Sequence, residues 1–347
     1  MSVTSAPPAG VPAPPAPPGR GERRRLLAVV LLVPAVVALA LWAFAWPSAR
    51  LAPRDLPLGV AGPETAAAQV SKQLRAHGDA FEIHRYADAA AAREAVEDRT
   101  VYGAVVVGGR SPELLTASAA GPLVAQLLQQ AVADQAPAGT EPKVTDVVPT
   151  PAGDPRGAAF GASVLPLALA GVAAGALVTL AGLRGGRAIG GLLAAAALVG
   201  VVAAALAHSW LGVLPGDWWA EAGVLALSTL AVSATVAGLA ALLGTAGIGL
   251  GALLVVLLGN PFSGASSAPE LLPGPVGVIG QWLPPGAGVS LLRSVSFFDG
   301  AAASGPALTL TWWAALGLGA VWLGSALKRR RPAAQGAAAE REPALAR

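Results

Sequence analysis

The chain has no cysteine, three lysines, three histidines, two tyrosines and one methionine in 347 residues. Without cysteine there is no disulfide, no thiolate metal site and no cysteine nucleophile. With lysine only at positions 72, 143 and 328, no GxxxxGK[ST] phosphate loop exists, so the chain carries no Walker-type ATPase of its own. Charge is scarce as well. Only 12% of residues are charged, about half the ~25% of soluble domains. That deficit excludes an ordinary cytosolic enzyme, and it excludes a disordered chain, which needs low hydrophobicity and high charge. What is abundant is apolar: 54% of residues, with mean hydropathy +0.60. The 43 glycines and 30 prolines punctuate the apolar stretches, and both are commoner in transmembrane helices than in soluble ones. The chain reads as an integral membrane protein whose first partner is the lipid bilayer. Its small net charge of +3 gives no ground for a nucleic-acid partner.

A span needs about 20 apolar residues. Residues 26–46, 158–183, 188–207, 222–243 and 306–327 qualify, and the shorter, glycine-rich 245–259 is taken as a sixth span, fifth in chain order. Lysine and arginine near span ends set orientation. Arg20 and Arg23 to Arg25 precede the first span, Arg184 and Arg187 lie between the second and third, and Lys328 to Arg331 follow the last. Six spans put all of these on the cytoplasmic side, with both termini inside; an odd number would not. Arg23 to Arg25 and Ala43-Phe44-Ala45 also imitate a signal peptide with its cleavage site. The apolar run is longer than a usual signal core, however, and cleavage would spoil the charge pattern. Residues 1–20, rich in Pro and Ala, read as a disordered cytoplasmic tail, and 328–347 as a basic cytoplasmic tail.

Residues 47–157 change character, with ten basic and 13 acidic residues. Apolar runs at 56–61 and 102–107 read as strands, the second buried on both faces; 81–86 alternates at period two, and 144–148 adds another strand. Helical spacing covers 64–77, 89–98 (with Asp88 as N-cap) and 123–133. Strands alternating with short helices predict an extracytoplasmic α/β domain with a mainly parallel sheet, inserted between the first and second spans. His77 and His84 read as a helix-end residue and a solvated strand face, and Glu94, Glu97, Asp98 and Arg99 as the wet side of a helix. No metal, cofactor or catalytic set is expected.

The clear spans contain no ionisable residue, which counts against proton-coupled pumping and intramembrane proteolysis. Gly264-Ala265-Ser266-Ser267 with His208 only remotely imitates a serine protease. His208, Asp217 and Glu221 sit in or beside a loop with Trp210, Trp218 and Trp219. Two GxxxG motifs, Gly171/Gly175 and Gly247/Gly251, fit either helix packing within the chain or a dimer face. Residues 260–293 are too rich in Pro and Gly for one continuous span. Their apolar pieces at 271–272, 276–279 and 289–292 suit short interfacial or re-entrant helices, serving either as a capping outer loop or as part of a translocation mouth.

Two places carry a family likeness. Leu56-Pro57-Leu58-Gly59-Val60-Ala61 and Tyr102-Gly103-Ala104-Val105-Val106-Val107 are similar to the first outer strand and the "tyrosine, small, apolar run" strand of the YhgE/Pip-like membrane proteins. Leu272-Pro273 through Leu283-Pro284 to Leu291-Leu292-Arg293 resembles their segment after the fifth span. In order and spacing, over residues 20 to 330, the chain resembles these proteins and the wider class of ABC-2-type transporter permeases. The resemblance implies a half-transporter, a homodimer or pseudodimer driven by a separate cytoplasmic ABC ATPase, exporting a hydrophobic or amphipathic substrate. It places Pro273, Pro284 and Arg293 at an outer gate and Arg184 and Arg187 at a cytoplasmic partner, with Arg293 alternatively anchoring at lipid headgroups. The other reading is a non-transporting envelope protein whose outer domain is a binding or secretion-associated platform. The expected fold class is therefore an α-helical integral membrane protein of six transmembrane helices with an extracytoplasmic α/β domain, in a bacterial cytoplasmic membrane.

Overall fold

The computed structural model describes residues 20–76, 78–108, 112–135 and 142–341. The expected tail before Arg20, His77 and the last six residues lie outside the described residues. The chain divides into two compact units, 1–42 and 43–347. Helix α1 (Arg20–Ser48) begins in the first. Its apolar part, Leu26–Ser48, has 23 residues, enough to cross a hydrocarbon core of about 30 Å at 1.5 Å per residue.

The second unit opens with the α/β region: β1 (Leu56–Ala61), α2 (Glu64–Arg75), β2 (Phe81–Tyr86), α3 (Ala89–Glu97), β3 (Gly103–Val106), β4 (Glu113–Thr116), α4 (Pro122–Gln135) and β5 (Lys143–Asp146). The sheet order is β2-β1-β3-β4-β5. Three of the four pairings are parallel, and β3–β4 is antiparallel. Strand period two sorts the core. Leu56, Leu58, Val60, Val105 and Leu114 face one way with Val124 and Leu128 of α4, while Ala61, Ala104 and Leu115 face the other with Ala92 and Val96 of α3. Asp88 caps α3 by accepting from the Ala91 N–H at 2.9 Å, as its sequence position predicts. Strand β4 is absent from the sequence reading. Its four residues, Glu-Leu-Leu-Thr, hold neither a β-branched run nor a full alternation, and only its neighbours on both sides define it.

Helices α5 (Ala158–Leu180), α6 (Gly186–Ala204, extended by a wider turn through Trp210), α7 (Trp218–Leu243) and α8 (Thr245–Ala252, likewise extended to Gly259) follow. After α8 come two single turns, then α9 (Val276–Trp282), α10 (Pro284–Phe297) and α11 (Ser304–Arg341). Five helices are long and apolar enough to cross a membrane: those in α1, α5, α6 with its extension, α7 and α11. Thr245–Gly259, counted above as a span, is a shorter apolar helix. The last helix also runs past Lys328, into the segment read as a tail.

Helix α7 is the axis of the bundle, and two-thirds of its most apolar stretch is buried inside protein. Small residues make this possible. A Cβ on Gly171 would lie 2.7 Å from the Val232 side chain, one on Gly175 2.5 Å from Ser233 O, one on Gly247 2.2 Å from Leu239 O, and one on Gly251 3.0 Å from Val236. Both GxxxG motifs therefore serve packing on α7 within the chain, which leaves neither free as a dimer face. The hydroxyls of Thr229 and Thr235 bond back to Leu225 O and Ala231 O, so burying them leaves no donor unpaired.

Candidate functional site at the junction of sheet and helices

The segment between α8 and α11 is built into both layers of the molecule. Ala268 and Leu271, both fully buried, complete the sheet core on one face, and Phe298 completes it on the other. Residues 52–54 run beside it: Ala52 N–H donates to Leu271 O and Arg54 N–H to Glu270 O, both at 3.0 Å. The Arg54 Nη1 adds a bond to Leu271 O at 2.9 Å. Chain crossings are tight here. A Cβ on Gly280 would sit 1.7 Å from Phe262 O, and one on Gly277 2.0 Å from Pro269 O. Helix α10 then starts with Pro284 and Pro285 in its first turn, where the missing N–H costs nothing and the fixed φ favours helix. It is buried along nearly its whole length against α7, α11 and α5.

Arg293, in the middle of α10, is 2% exposed. Its Nη2 donates to Ala265 O at 3.2 Å, and its guanidinium stands 5.0 Å from the centroid of the Phe160 ring, a cation–π arrangement. Among the described residues its Nε has no acceptor. Burial, and after it the charge of Arg99, hold this guanidinium below the ordinary arginine value, at about 10, which still leaves it charged at neutral pH. Arg293 is thus enclosed by protein instead of facing lipid headgroups.

Arg99 reaches the same helix from the sheet side. It follows α3 in a left-handed conformation, φ 59°, which turns its side chain away from the solvated face expected for it. Its Nη1 donates to Ser290 O at 3.1 Å and to the Ser294 hydroxyl, and its guanidinium lies 5.3 Å from the Phe298 ring centroid. Burial lowers its pKa from the usual value. Three residues on, Tyr102 donates its phenol proton to Glu270 Oε2 at 2.7 Å. Burial, reinforced by that carboxylate, raises the phenol's pKa, so it remains a donor across the physiological range. Arg99, Tyr102, Glu270 and Ser290 line a cavity of about 210 Å³ between the sheet and the start of α11.

A second buried polar group borders α10 from below its C-terminal half. Glu221 lies in the first turn of α7, inside the helix and 0% exposed. Sequence placed it in or beside a loop, because the helix begins earlier than its apolar run, at Trp218, with Asp217 as N-cap accepting from Ala220 N–H at 2.8 Å. The Glu221 carboxylate takes the Gly216 N–H at 2.8 Å and meets His208 Nδ1 at 2.9 Å. His208 is therefore committed to Glu221, while Ser263, Ser266 and Ser267 line a different cavity, of about 270 Å³.

No family model, curated protein or solved structure matches the chain. Of the residues singled out in sequence, Pro273, Pro284 and Arg293 do fall in one structure: Pro273 O accepts from Val276 N–H at 2.8 Å to start α9, and Pro284 starts α10. Arg184 lies exposed in the turn from α5 to α6, which Gly185 N–H ties to Ser325 Oγ of α11 at 2.9 Å, and Arg187 lies exposed in the first turn of α6. Arg184 shares a cavity of about 110 Å³ with Lys328. His84 is 3.4 Å from Glu82 on the edge strand, as alternation implies. Among the described residues no three His, Cys, Asp or Glu side chains converge on one point. Sequence missed Arg99, Tyr102 and Glu270 as a group. The only signal in reach was the rarity of tyrosine, one of two in the chain, standing just ahead of a buried strand.

Proposed function

We propose that the chain is the membrane permease subunit of an ABC-2-type exporter, moving a hydrophobic or amphipathic substrate outward with a separate ATPase. The observation that carries this reading is the segment 260–298, which completes the core on both faces of the sheet and at the same time lays α10 along the central helix α7. An exporter needs its outer domain and its spans to move as coupled bodies, and here one buried helix belongs to both. Spans whose ionisable groups are confined to their ends, as in the His208–Glu221 pair, favour an apolar or amphipathic cargo over a small ion. On this reading six spans, with Thr245–Gly259 as the fifth, place the α/β domain outside a bacterial cytoplasmic membrane and both termini inside. Pro273, Pro284 and Arg293 shape the outer gate, Arg184 and Arg187 meet the cytoplasmic partner, and two copies assemble.

One observation favours the alternative, an envelope protein whose outer domain is a binding or secretion-associated platform. The α5–α6 turn is five residues long, 181–185, and pinned to α11 through Gly185 and Ser325, which leaves little for an ATPase to grip. Affinity purification of the tagged protein from mild detergent, followed by mass spectrometry, separates the two. The permease reading expects an ABC ATPase in near-stoichiometric amount. Repeated recovery of the chain alone, or with envelope proteins only, would sink it in favour of the platform.

A further inference from the structure

We propose that the cavity beside Arg99 is a binding site for a small phosphate or carboxylate group that carries a neighbouring amine or hydroxyl. The first ground is the unused face of the guanidinium. Arginine has five N–H donors, and both bonds made by Arg99 leave from Nη1, to Ser290 O and Ser294 Oγ. Among the described residues nothing accepts from its Nε or Nη2. Those two nitrogens form the side-on fork that matches a carboxylate or phosphate with two parallel bonds.

Charge balance gives the second ground. Arg293 is buried and Arg99 half-buried, close enough that the charge of Arg99 lowers the pKa of Arg293, yet among the described residues neither has a carboxylate within 4.0 Å. Glu270 lines the cavity beside Arg99, and Asp154 lines a separate cavity with Arg293; neither carboxylate pairs with the free fork of Arg99, which a bound anion would do. A charge drawn partly out of water gains from an opposite charge beside it, and a bound anion supplies one.

Glu270 also restricts which anion fits. It lines the same cavity, and with Oε2 taken by Tyr102 its Oε1 has no donor among the described residues. A bare anion would be repelled there, whereas a ligand with an amine or hydroxyl next to its anionic group satisfies both walls. Apart from Thr100 and Ser290 the remaining walls, including Pro57, Val101 and Pro306, are apolar. At about 210 Å³ the space exceeds the ~150 Å³ cavities that hold a benzene ring, so a group the size of phosphoethanolamine or phosphoglycerol enters. Ala302 and Pro306 bring the cavity to the start of the apolar helix α11, within reach of a phospholipid headgroup as well as of a soluble compound. The site stands whether or not the chain transports anything.

The test uses the full-length protein in detergent micelles. Glycerophosphoethanolamine is titrated by calorimetry as the soluble probe, and phosphatidylethanolamine retention is read by native mass spectrometry against phosphatidylcholine, which lacks an N–H donor. Arg99→Lys keeps the charge and removes the fork; Thr100→Trp fills the cavity from its exposed rim without touching the Arg99 anchor on α10. Each should weaken binding at least about tenfold, the loss expected for one charge-assisted hydrogen bond. Binding of both probes assigns the headgroup chemistry irrespective of its carrier, and binding of one alone assigns a lipid or a soluble source. The proposal is overturned if neither probe binds, or if either variant that elutes as a monodisperse folded protein keeps wild-type affinity. Should Arg99→Lys fail to fold, Thr100→Trp decides.

Discussion

Gly280→Ala should destabilise the protein by about 3 kcal/mol or more, at or above the upper end for overpacking a filled interior. Helix propensity alone would predict the opposite sign, because alanine in a helix is favoured over glycine by about 1 kcal/mol. Gly280 lies in α9, however, where a methyl group would stand 1.7 Å from the carbonyl oxygen of Phe262. That neighbour is backbone and has no rotamer to change. The helix must move away from the Phe262 turn, and with it the seat of α10. Gly190→Ala in α6, where a Cβ meets nothing within 4 Å, is the matched control and should be neutral or mildly stabilising. The fraction of monodisperse protein surviving a temperature series in detergent measures both. Equal survival of the two variants would show that the α9 crossing is not tight.

His208→Leu should cost about 3 to 5 kcal/mol, because it leaves the Glu221 carboxylate buried without its side-chain partner. Glu221 is 0% exposed and would retain only the Gly216 N–H. The position has no slack: a Cβ on Gly216 would lie 2.7 Å from Val295 O of α10, so the loop cannot swing out to admit water without disturbing that helix. The double variant His208→Leu/Glu221→Leu should recover most of the loss, since replacing both partners of a buried pair with apolar groups is often neutral. Thermal survival of the two single variants and the double closes the cycle. A double variant no better than His208→Leu would mean that the pair's shape, not its charge, is what the bundle needs.

The parts of the fold that were legible in the sequence are those set by local pattern. Five long apolar helices follow from uninterrupted runs, and the strands β1, β2 and β3 follow from apolar runs or period-two alternation. Asp88 capped its helix because capping involves residues three apart. The junction was illegible for the converse reason. Arg99 meets Ser290 across 191 positions and Tyr102 meets Glu270 across 168, and no periodicity spans such a distance. Arg99 looked like the wet end of a helix because Glu94, Glu97 and Asp98 surround it; its left-handed backbone, which turns it inward, leaves no mark on a residue that is not glycine. The central role of α7 was half legible. Ser228, Thr229, Ser233 and Thr235 cluster within eight residues of it, closer together than the hydroxyls of the other spans, and hydroxyl-bearing and small residues are what helix interfaces in a membrane select.

The way the sheet borrows Ala268, Leu271 and Phe298 has a consequence for the order of events during synthesis. Domains generally fold as units, from the N-terminus onward, as the chain emerges. Strand β1 leaves the ribosome more than 200 residues before Leu271, so the sheet region has to wait, with part of each face bare, while α5 to α8 are made and inserted. Closing such distant contacts is slow, and until it is done the apolar faces of a half-finished sheet are open to whatever is nearby. Maturation of this protein therefore ends where its two layers meet: only when the stretch before α11 folds back onto the sheet does either layer acquire its final interior.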